Sequence, residues 1–134
     1  MKIEFTNNPQ TQDIDFLSEK INLGFKSYGS AHAFGFFIRD NGKMIAGCNG
    51  SVVYNFIYID QLWVHQDYRS RGIGKQLMEA VHNYGHKVGC QMVTVQTMSF
   101  QNAESFYEKL GYVCDFKRDM GDYHCIFLKK TLSF

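Results

Sequence analysis

Between Val64 and Lys75 the chain reads Val-His-Gln-Asp-Tyr-Arg-Ser-Arg-Gly-Ile-Gly-Lys, and this segment limits the fold more than any other. Before it, residues 56–64 are apolar at positions of both parities, which predicts a central strand covered on both faces. After it, Ile73, Leu77, Val81, Tyr84 and Val88 recur at steps of three or four, the stripe of a helix over residues 72–87. A buried strand must therefore feed straight into a packed helix. Gly72 and Gly74 at that junction let an anion approach the backbone closely. The first N–H groups of the helix have no helical partner, and the helix dipole adds positive potential there. Arg69, Arg71 and Lys75 add full charges. This chemistry fits a pyrophosphate cradle. The plainer alternative is a tight turn with exposed basic residues. A Walker loop is excluded because Gln76, not Ser or Thr, follows Lys75. A Rossmann fingerprint is excluded because its third glycine is missing.

The rest of the chain supplies a frame for this junction. Residues 2–6 alternate like a strand, and Asn8-Pro9 breaks the pattern. Ile14, Leu17, Ile21, Phe25 and Tyr28 then mark an amphipathic helix that Gly29 and Ser30 close. Strands are expected over 33–39 and 44–53, joined at Asn41-Gly42, a pair that tolerates the positive φ of a tight hairpin. Strands at 91–96, 112–117 and 123–130 and a short helix over 102–110, stopped by Gly111, complete the order β-α-β-β-β-α-β-α-β-β. The predicted class is α+β, an α/β sandwich: a mixed, mostly antiparallel twisted sheet of six to seven strands with helices on both faces.

The 134 residues suit one domain spanning 1–134. A net charge of +1 does not favour nucleic acid or an anionic membrane as partner, and no run is long enough to span a bilayer. The start lacks a signal peptide's apolar stretch, so a cytoplasmic protein is expected. Cys48, Cys90, Cys114 and Cys125 lack C-x-x-C spacing and read as free, buried thiols rather than a disulfide or metal framework. His82 and His86 lie four apart on the helix, but without a His-Glu-x-x-His pattern they read as an exposed helix face, and no metal is expected.

Arg69-Ser70-Arg71-Gly72-Ile73-Gly74 resembles the Arg/Gln-x-x-Gly-x-Gly/Ala signature of the GNAT acetyltransferases. Leu62-Trp63-Val64 before it and Leu77-Met78 after it are similar to the same family. The later block Asn102-Ala103-Glu104-Ser105-Phe106-Tyr107, continuing to Gly111-Tyr112, resembles the family's Asn-x-x-x-x-x-Tyr-x-x-x-Gly-Phe/Tyr element. The resemblance covers residues 44–130. The first forty residues match in element order only, with one helix where the family often has two.

The resemblance implies a GNAT fold and acetyl-CoA as donor. It implies that backbone groups of Leu62, Trp63 and Val64 pair with the pantetheine arm. The amides of Arg71, Gly72, Ile73, Gly74 and Lys75, with the charge of Arg69, would hold the pyrophosphate. Asn102 would bind the pantetheine amide, and Tyr107 would stand near the thioester sulfur. Acetylation of an amine by direct attack needs a base for the ammonium, donors for the oxyanion and a proton for the departing thiolate. Tyr107 is the candidate acid, its alternative an amphipathic anchor for the short helix. A bulge or splay in the strand would free the N–H of Leu62 or Trp63 for the oxyanion.

Asp60 is the first candidate base, directly or through water, because Tyr58, Asp60 and Leu62 would share a face of a covered strand where a carboxylate is costly. Tyr58 is the second position at which the family places its base or relay, and His124 a weaker alternative. Phe34, Phe36, Phe37, Tyr54, Phe56, Tyr58 and Phe100 line an acceptor pocket or, more simply, the core. The expected acceptor is a small-molecule amine. A protein N-terminus or lysine is the second reading, and a silent acyl-CoA-binding module the third. A homodimer is left open.

Overall fold

The computed structural model describes residues 1–29 and 31–132. Its regular elements are helices α1 (Thr11–Asn22), α2 (Ile73–Val88) and α3 (Glu104–Lys109), and strands β1 (Ala31–Asp40), β2 (Lys43–Val53), β3 (Phe56–Val64), β4 (Met92–Met98), β5 (Val113–Asp119) and β6 (His124–Thr131). The strands form one sheet in the order β1-β2-β3-β4-β6-β5. Every neighbouring pair is antiparallel except β3 with β4, the pair that α2 connects. The β1–β2 hairpin turns at Asn41 (φ 51°) and Gly42 (φ 80°), as the Asn-Gly pair requires.

The core lies between one face of the sheet and the helices α2 and α3. Ile57 and Ile59 from β3, Val93 and Val95 from β4, and Ile126 and Leu128 from β6 pack against Leu77, Met78 and Val81 of α2. Tyr107 brings α3 into the same cluster. Gly74 seats α3 against α2: a Cβ there would lie 3.3 Å from the Phe106 ring. Gly85 is buried in place of the outer stripe residue Val88, which is exposed.

Three expectations are corrected. Residues 1–6 form no strand and are all exposed, so the sheet has six strands. The alternation's apolar residues Ile3 and Phe5 are too few to repay the ordering of a short strand without a packed face. The helical pattern from Thr11 is real, but α1 stops at Asn22, a short 3₁₀ turn covers Lys26–Tyr28, and no residue of α1 is buried. Helices α2 and α3 therefore cover one sheet face, and α1 buries nothing on the other. Gly29, expected to close that helix, instead ends the 3₁₀ turn at φ 115°, and Ser30 lies outside the described residues. Finally, β3 is covered on one face only: Tyr58, Asp60, Gln61 and Trp63 are exposed.

The exposed side of β3 follows from a bulge. Gly50 pairs with Ile59 and Asn49 with Gln61, so Asp60 is the extra residue. The inserted residue flips the parity of the strand. Leu62 and Val64 consequently pack on the core side with Ile57 and Ile59, and Leu62 does not share a face with Tyr58 and Asp60. Gly50 permits the bulge, since a Cβ there would fall 2.0 Å from the Tyr58 carbonyl oxygen.

Cys48, Cys90 and Cys125 are buried and free; Cys114 is free but exposed, contrary to its reading as a buried thiol. His82 is half-buried rather than on an open helix face, because its Nε2 meets the Tyr112 hydroxyl at 2.7 Å. Burial, then Lys130 and His86, pushes its pKa down to about 4. No helix among the described residues is long and apolar enough to cross a membrane.

Candidate active site

Strands β3 and β4 pair in parallel only from Phe56 with Met92 to Ile59 with Val95. Beyond the bulge at Asp60 the two strands part. The wedge between them is the inner wall of a groove of about 1130 Å³. On one side it is lined by Asp60, Leu62, Trp63 and Val64. The start of α2 forms a second wall through Arg69, Gly72, Ile73, Gly74 and Lys75, and Asn102 and Tyr107 form the third. Residues separated by more than forty positions in the chain thus meet around one opening.

Gly72 is the N-cap of α2 and takes φ 79°, a left-handed conformation open to glycine. A side chain at Gly72 would meet nothing within 4 Å, so the space over the backbone is free. The first helical bond of α2 runs from Gln76 N–H to Gly72 carbonyl at 3.0 Å. The N–H groups of Ile73, Gly74 and Lys75 have no helical acceptor and sit at the positive end of the dipole. Open space over unpaired main-chain donors gives this helix start the chemistry that an anion would need.

The basic side chains divide. Lys75 lines the groove and lies 3.9 Å from Glu79. Arg69 lines it too, but its Nε donates to the Val64 carbonyl at 2.8 Å, tying the loop to the end of β3. The Arg71 guanidinium is not part of the lining itself but stacks 5.3 Å over the ring of Tyr68, which is. The charge expected from Arg71 is thus committed to the loop's own packing.

Tyr107 is 6% exposed. Its ring meets Tyr112 edge-on at 5.5 Å and Phe106 at 5.1 Å. Burial, with a smaller contribution from Cys48, pushes its phenol up to about 12, so it remains a protonated donor throughout the neutral range. Cys48 itself is pushed up to about 11, first by burial and then by the Asp60 carboxylate. Asn102 takes the left-handed conformation at φ 56°, and its Nδ2 donates to the Phe100 carbonyl at 3.4 Å.

Two candidates lie elsewhere. Tyr58 is half exposed on the uncovered sheet face and does not line the groove. His124 lines a separate cleft of about 710 Å³ across Asn102, beside the Lys117–Glu104 ion pair, and its backbone N–H donates to Ser99 Oγ. Of the aromatic set, Phe34 and Phe36 pack against the core, whereas Phe37 and Phe100 are exposed. Among the described residues no three His, Cys, Asp or Glu side chains gather as metal ligands would.

A model of the acetyltransferase (GNAT) family matches residues 3–112. The chain belongs to the GNAT acetyltransferase family. This GNAT chain is similar to the blasticidin-S acetyltransferase of Streptomyces morookaense, 32% identical over 74 residues that make up 54% of each chain. It therefore spans, in that match, about half the length of the curated relative. Its fold is shared with an acetyltransferase from Bacillus cereus at a TM-score of 0.76, with 23% identity over 96% of this chain and 98% of that one. An aminoglycoside 6'-N-acetyltransferase complexed with coenzyme A matches at 0.68, with 15% identity over 100% and 98% of the two chains.

Two supports of the groove escaped the sequence. Gln101 Oε1 accepts from Thr97 Oγ1 at 3.0 Å and from Met98 N–H at 2.8 Å, fixing the turn that presents Asn102; a lone Gln carries no signal for this. Gly50 does carry one, because an interior strand glycine marks a bulge or a close approach.

Proposed function

We propose that this GNAT chain moves an acetyl group from acetyl-CoA to the primary amine of a small molecule, by direct attack with both substrates held together. One observation carries the reading: the groove where β3 and β4 part has the unpaired amides of α2 at one wall and the protonated phenol of Tyr107 at another. The amides of Gly72 to Lys75 and the Lys75 charge bind the pyrophosphate. The main chain of Leu62 to Val64, which pairs with no strand on its β4 side, offers ladder groups to the pantetheine arm. Asn102 binds one of its amides. Bound acetyl-CoA supplies an activated thioester. Asp60, exposed at the bulge, takes the proton from the incoming ammonium, directly or through water. The Tyr107 hydroxyl donates a hydrogen bond to the sulfur as it leaves. A phenol at about 12 is a weaker acid than a thiol near ~8.5, so its contribution is charge stabilisation more than full proton transfer.

The relative named for blasticidin S supports a small-molecule acceptor over a protein one. The unpaired thiols suit a reducing, cytoplasmic setting. The test is release of CoA from acetyl-CoA with a panel of polyamines, amino acids, aminoglycosides and short peptides, run on the wild type and on Tyr107→Phe. The variant should lose ~10²–10³ in kcat with unchanged acetyl-CoA affinity. A panel in which no amine raises CoA release above hydrolysis would sink the proposal. A near wild-type Tyr107→Phe, with chemistry rate-limiting, would remove Tyr107 from the reaction.

A further inference from the structure

Helix α3 is too short to hold its own side chains in place. It has six residues and no side-chain cap, and a helix of that length has little stability of its own. Yet Tyr107 on this helix is buried, with its ring set between two neighbours. The Phe106 ring meets it edge-on at 5.1 Å and the Tyr112 ring at 5.5 Å. The Tyr112 N–H also donates to the Tyr107 carbonyl at 3.1 Å.

Both neighbours are themselves set by α2. Phe106 lies over Gly74, where a Cβ would come within 3.3 Å of its ring. Tyr112 is held at its far end: its hydroxyl meets His82 Nε2 at 2.7 Å, and the two rings lie 5.7 Å apart at 39°. Gly74 and His82 stand about two turns apart on α2. The helix whose first amides face the groove therefore also sets the Tyr107 ring, from two points.

The contact of Tyr112 with His82 is more than packing. Tyr112 is 2% exposed, and a phenol buried there without a partner would be costly. Burial, then Tyr107, then Cys48, pushes the Tyr112 phenol up, while burial first of all holds His82 down. Both groups are uncharged at neutral pH, so the value of their bond is directional. It pins Tyr112 at the hydroxyl, and the backbone bond to Tyr107 pins it at the other end. Neither His82 nor Tyr112 lines the groove, so neither touches a substrate held there. Tyr107 does line it.

We propose, on the reading of Tyr107 as donor to the leaving sulfur, that His82 is a positioning residue for acetyl transfer: through Tyr112 it holds the Tyr107 ring so that its hydroxyl meets that sulfur. Misplacing a reacting group by about 1 Å can cost on the order of 10² in rate. Losing one of two posts should displace the ring by less and cost about tenfold. The loss should fall on kcat, because the sulfur needs its donor only as it leaves.

The test measures kcat and acetyl-CoA affinity for His82→Leu, His82→Gln, Tyr107→Phe and the pair Tyr107→Phe with His82→Leu, using the amine that responds best in the panel. His82→Leu should lose about tenfold in kcat with acetyl-CoA affinity unchanged. His82→Gln, whose amide can meet the Tyr112 hydroxyl, should recover most of it. In the Tyr107→Phe background His82→Leu should cost less than about twofold more, because the hydroxyl that His82 positions is already gone. A general loosening of the packing would add to Tyr107→Phe in full. Tyr112→Phe removes the same bond and keeps the ring, so it should repeat the His82→Leu loss, and it stands in for that variant if His82→Leu does not fold. The fluorine NMR spectrum of the protein labelled with 3-fluorotyrosine gives a readout without turnover. Its Tyr107 line, identified by its absence from Tyr107→Phe, should shift and broaden in His82→Leu and return in His82→Gln. A Tyr107 line that His82→Leu leaves unmoved overturns the proposal, whichever amine is accepted. So does a wild-type kcat in His82→Leu, or a loss undiminished in the Tyr107→Phe background, while Tyr107→Phe itself is slow; Tyr107 as donor then stands. A Tyr107→Phe chain near the wild-type rate, with chemistry rate-limiting, removes that donor and the proposal with it.

Discussion

Replacing Gly50 with alanine should disable the site without touching it. A Cβ at that position would lie 2.0 Å from the Tyr58 oxygen, 3.0 Å from its carbonyl carbon and 3.1 Å from the Ile59 Cα. All three are backbone atoms of β3, so no side-chain rotation relieves the clash. The strand must move, and the residue free to absorb the movement is Asp60 in the bulge. Overpacking of this kind costs about 1–3 kcal/mol, and a rigid backbone neighbour puts Gly50→Ala at the upper end, about 3 kcal/mol. At about 2.1 cal/mol/K per residue, this chain unfolds with an entropy near 0.28 kcal/mol/K, so Tm should fall by about 10 °C. Thermal melts followed by circular dichroism read that shift. Acetyl-CoA titration calorimetry at a temperature where the variant is folded reads the second consequence, an affinity loss of about tenfold or more as the wedge between β3 and β4 closes or skews. Gly24→Ala is the control: its Cβ would meet nothing within 4 Å, and Tm should change by less than about 4 °C. A Gly50→Ala chain with wild-type Tm and affinity would show that the strand accommodates a side chain there, and the link from glycine to bulge to groove would be wrong.

Other outcomes follow from the same geometry. Gly72→Val forces a branched side chain to φ 79°, so it should cost about 1–3 kcal/mol of stability and weaken acetyl-CoA binding about tenfold, measured by calorimetry on the folded variant. Asp60→Asn should depress turnover most at neutral pH and recover toward alkaline pH, where the acceptor is already free amine; a pH–rate profile of unchanged shape would exclude Asp60 as the base. His82 has a folded pKa of about 4 against about 6.5 unfolded, so between these values the unfolded chain binds more protons and stability falls as pH drops from about 6.5 toward 4. The loss, discounted for the ring's partial exposure, should be about 1–2 kcal/mol in urea titrations, and His82→Phe should flatten that part of the profile. Native alkylation with a maleimide should label Cys114 alone within minutes, because Cys48, Cys90 and Cys125 are buried; a second rapid adduct in the mass spectrum would contradict the burial.

The elements around the groove could be read in advance because each carries a local signal. Asn41-Gly42 dictates its hairpin, the stripe from Ile73 to Tyr84 dictates α2, and the bounds 56–64 of β3 match the observed strand. The glycine turn at the start of α2 was legible for the same reason, since glycine and unpaired amides at a helix start are local facts. What failed depends on tertiary context. A bulge at Asp60 moves Leu62 off the face that Tyr58 and Asp60 share, and parity counted along an unbroken strand cannot foresee it. Whether an amphipathic helix finds its sheet is also not written in its own periodicity: α1 has the pattern but buries no residue. Arg71 shows the same limit for charge, because its position next to Gly72 says nothing of the Tyr68 ring that occupies it.

The four-position parallel seam between β3 and β4 gives the molecule an unusual dependence on its surroundings. Two three-stranded halves meet along a short line of the less stable kind of pairing, and past Ile59 the facing edges of both strands have no ladder partner. An occupant that bridges those edges acts as a stitch between the halves. By mass action, an occupant at a hundred times its dissociation constant adds about 2.7 kcal/mol to the folded state. A protease samples the opened chain in proportion to its population, so a shift of that size lengthens the lifetime of the protein by about a hundredfold where opening is fast. Under the proposed reading, the amount of this protein in a cell would then follow the supply of acetyl-CoA, and degradation itself would report the metabolic state.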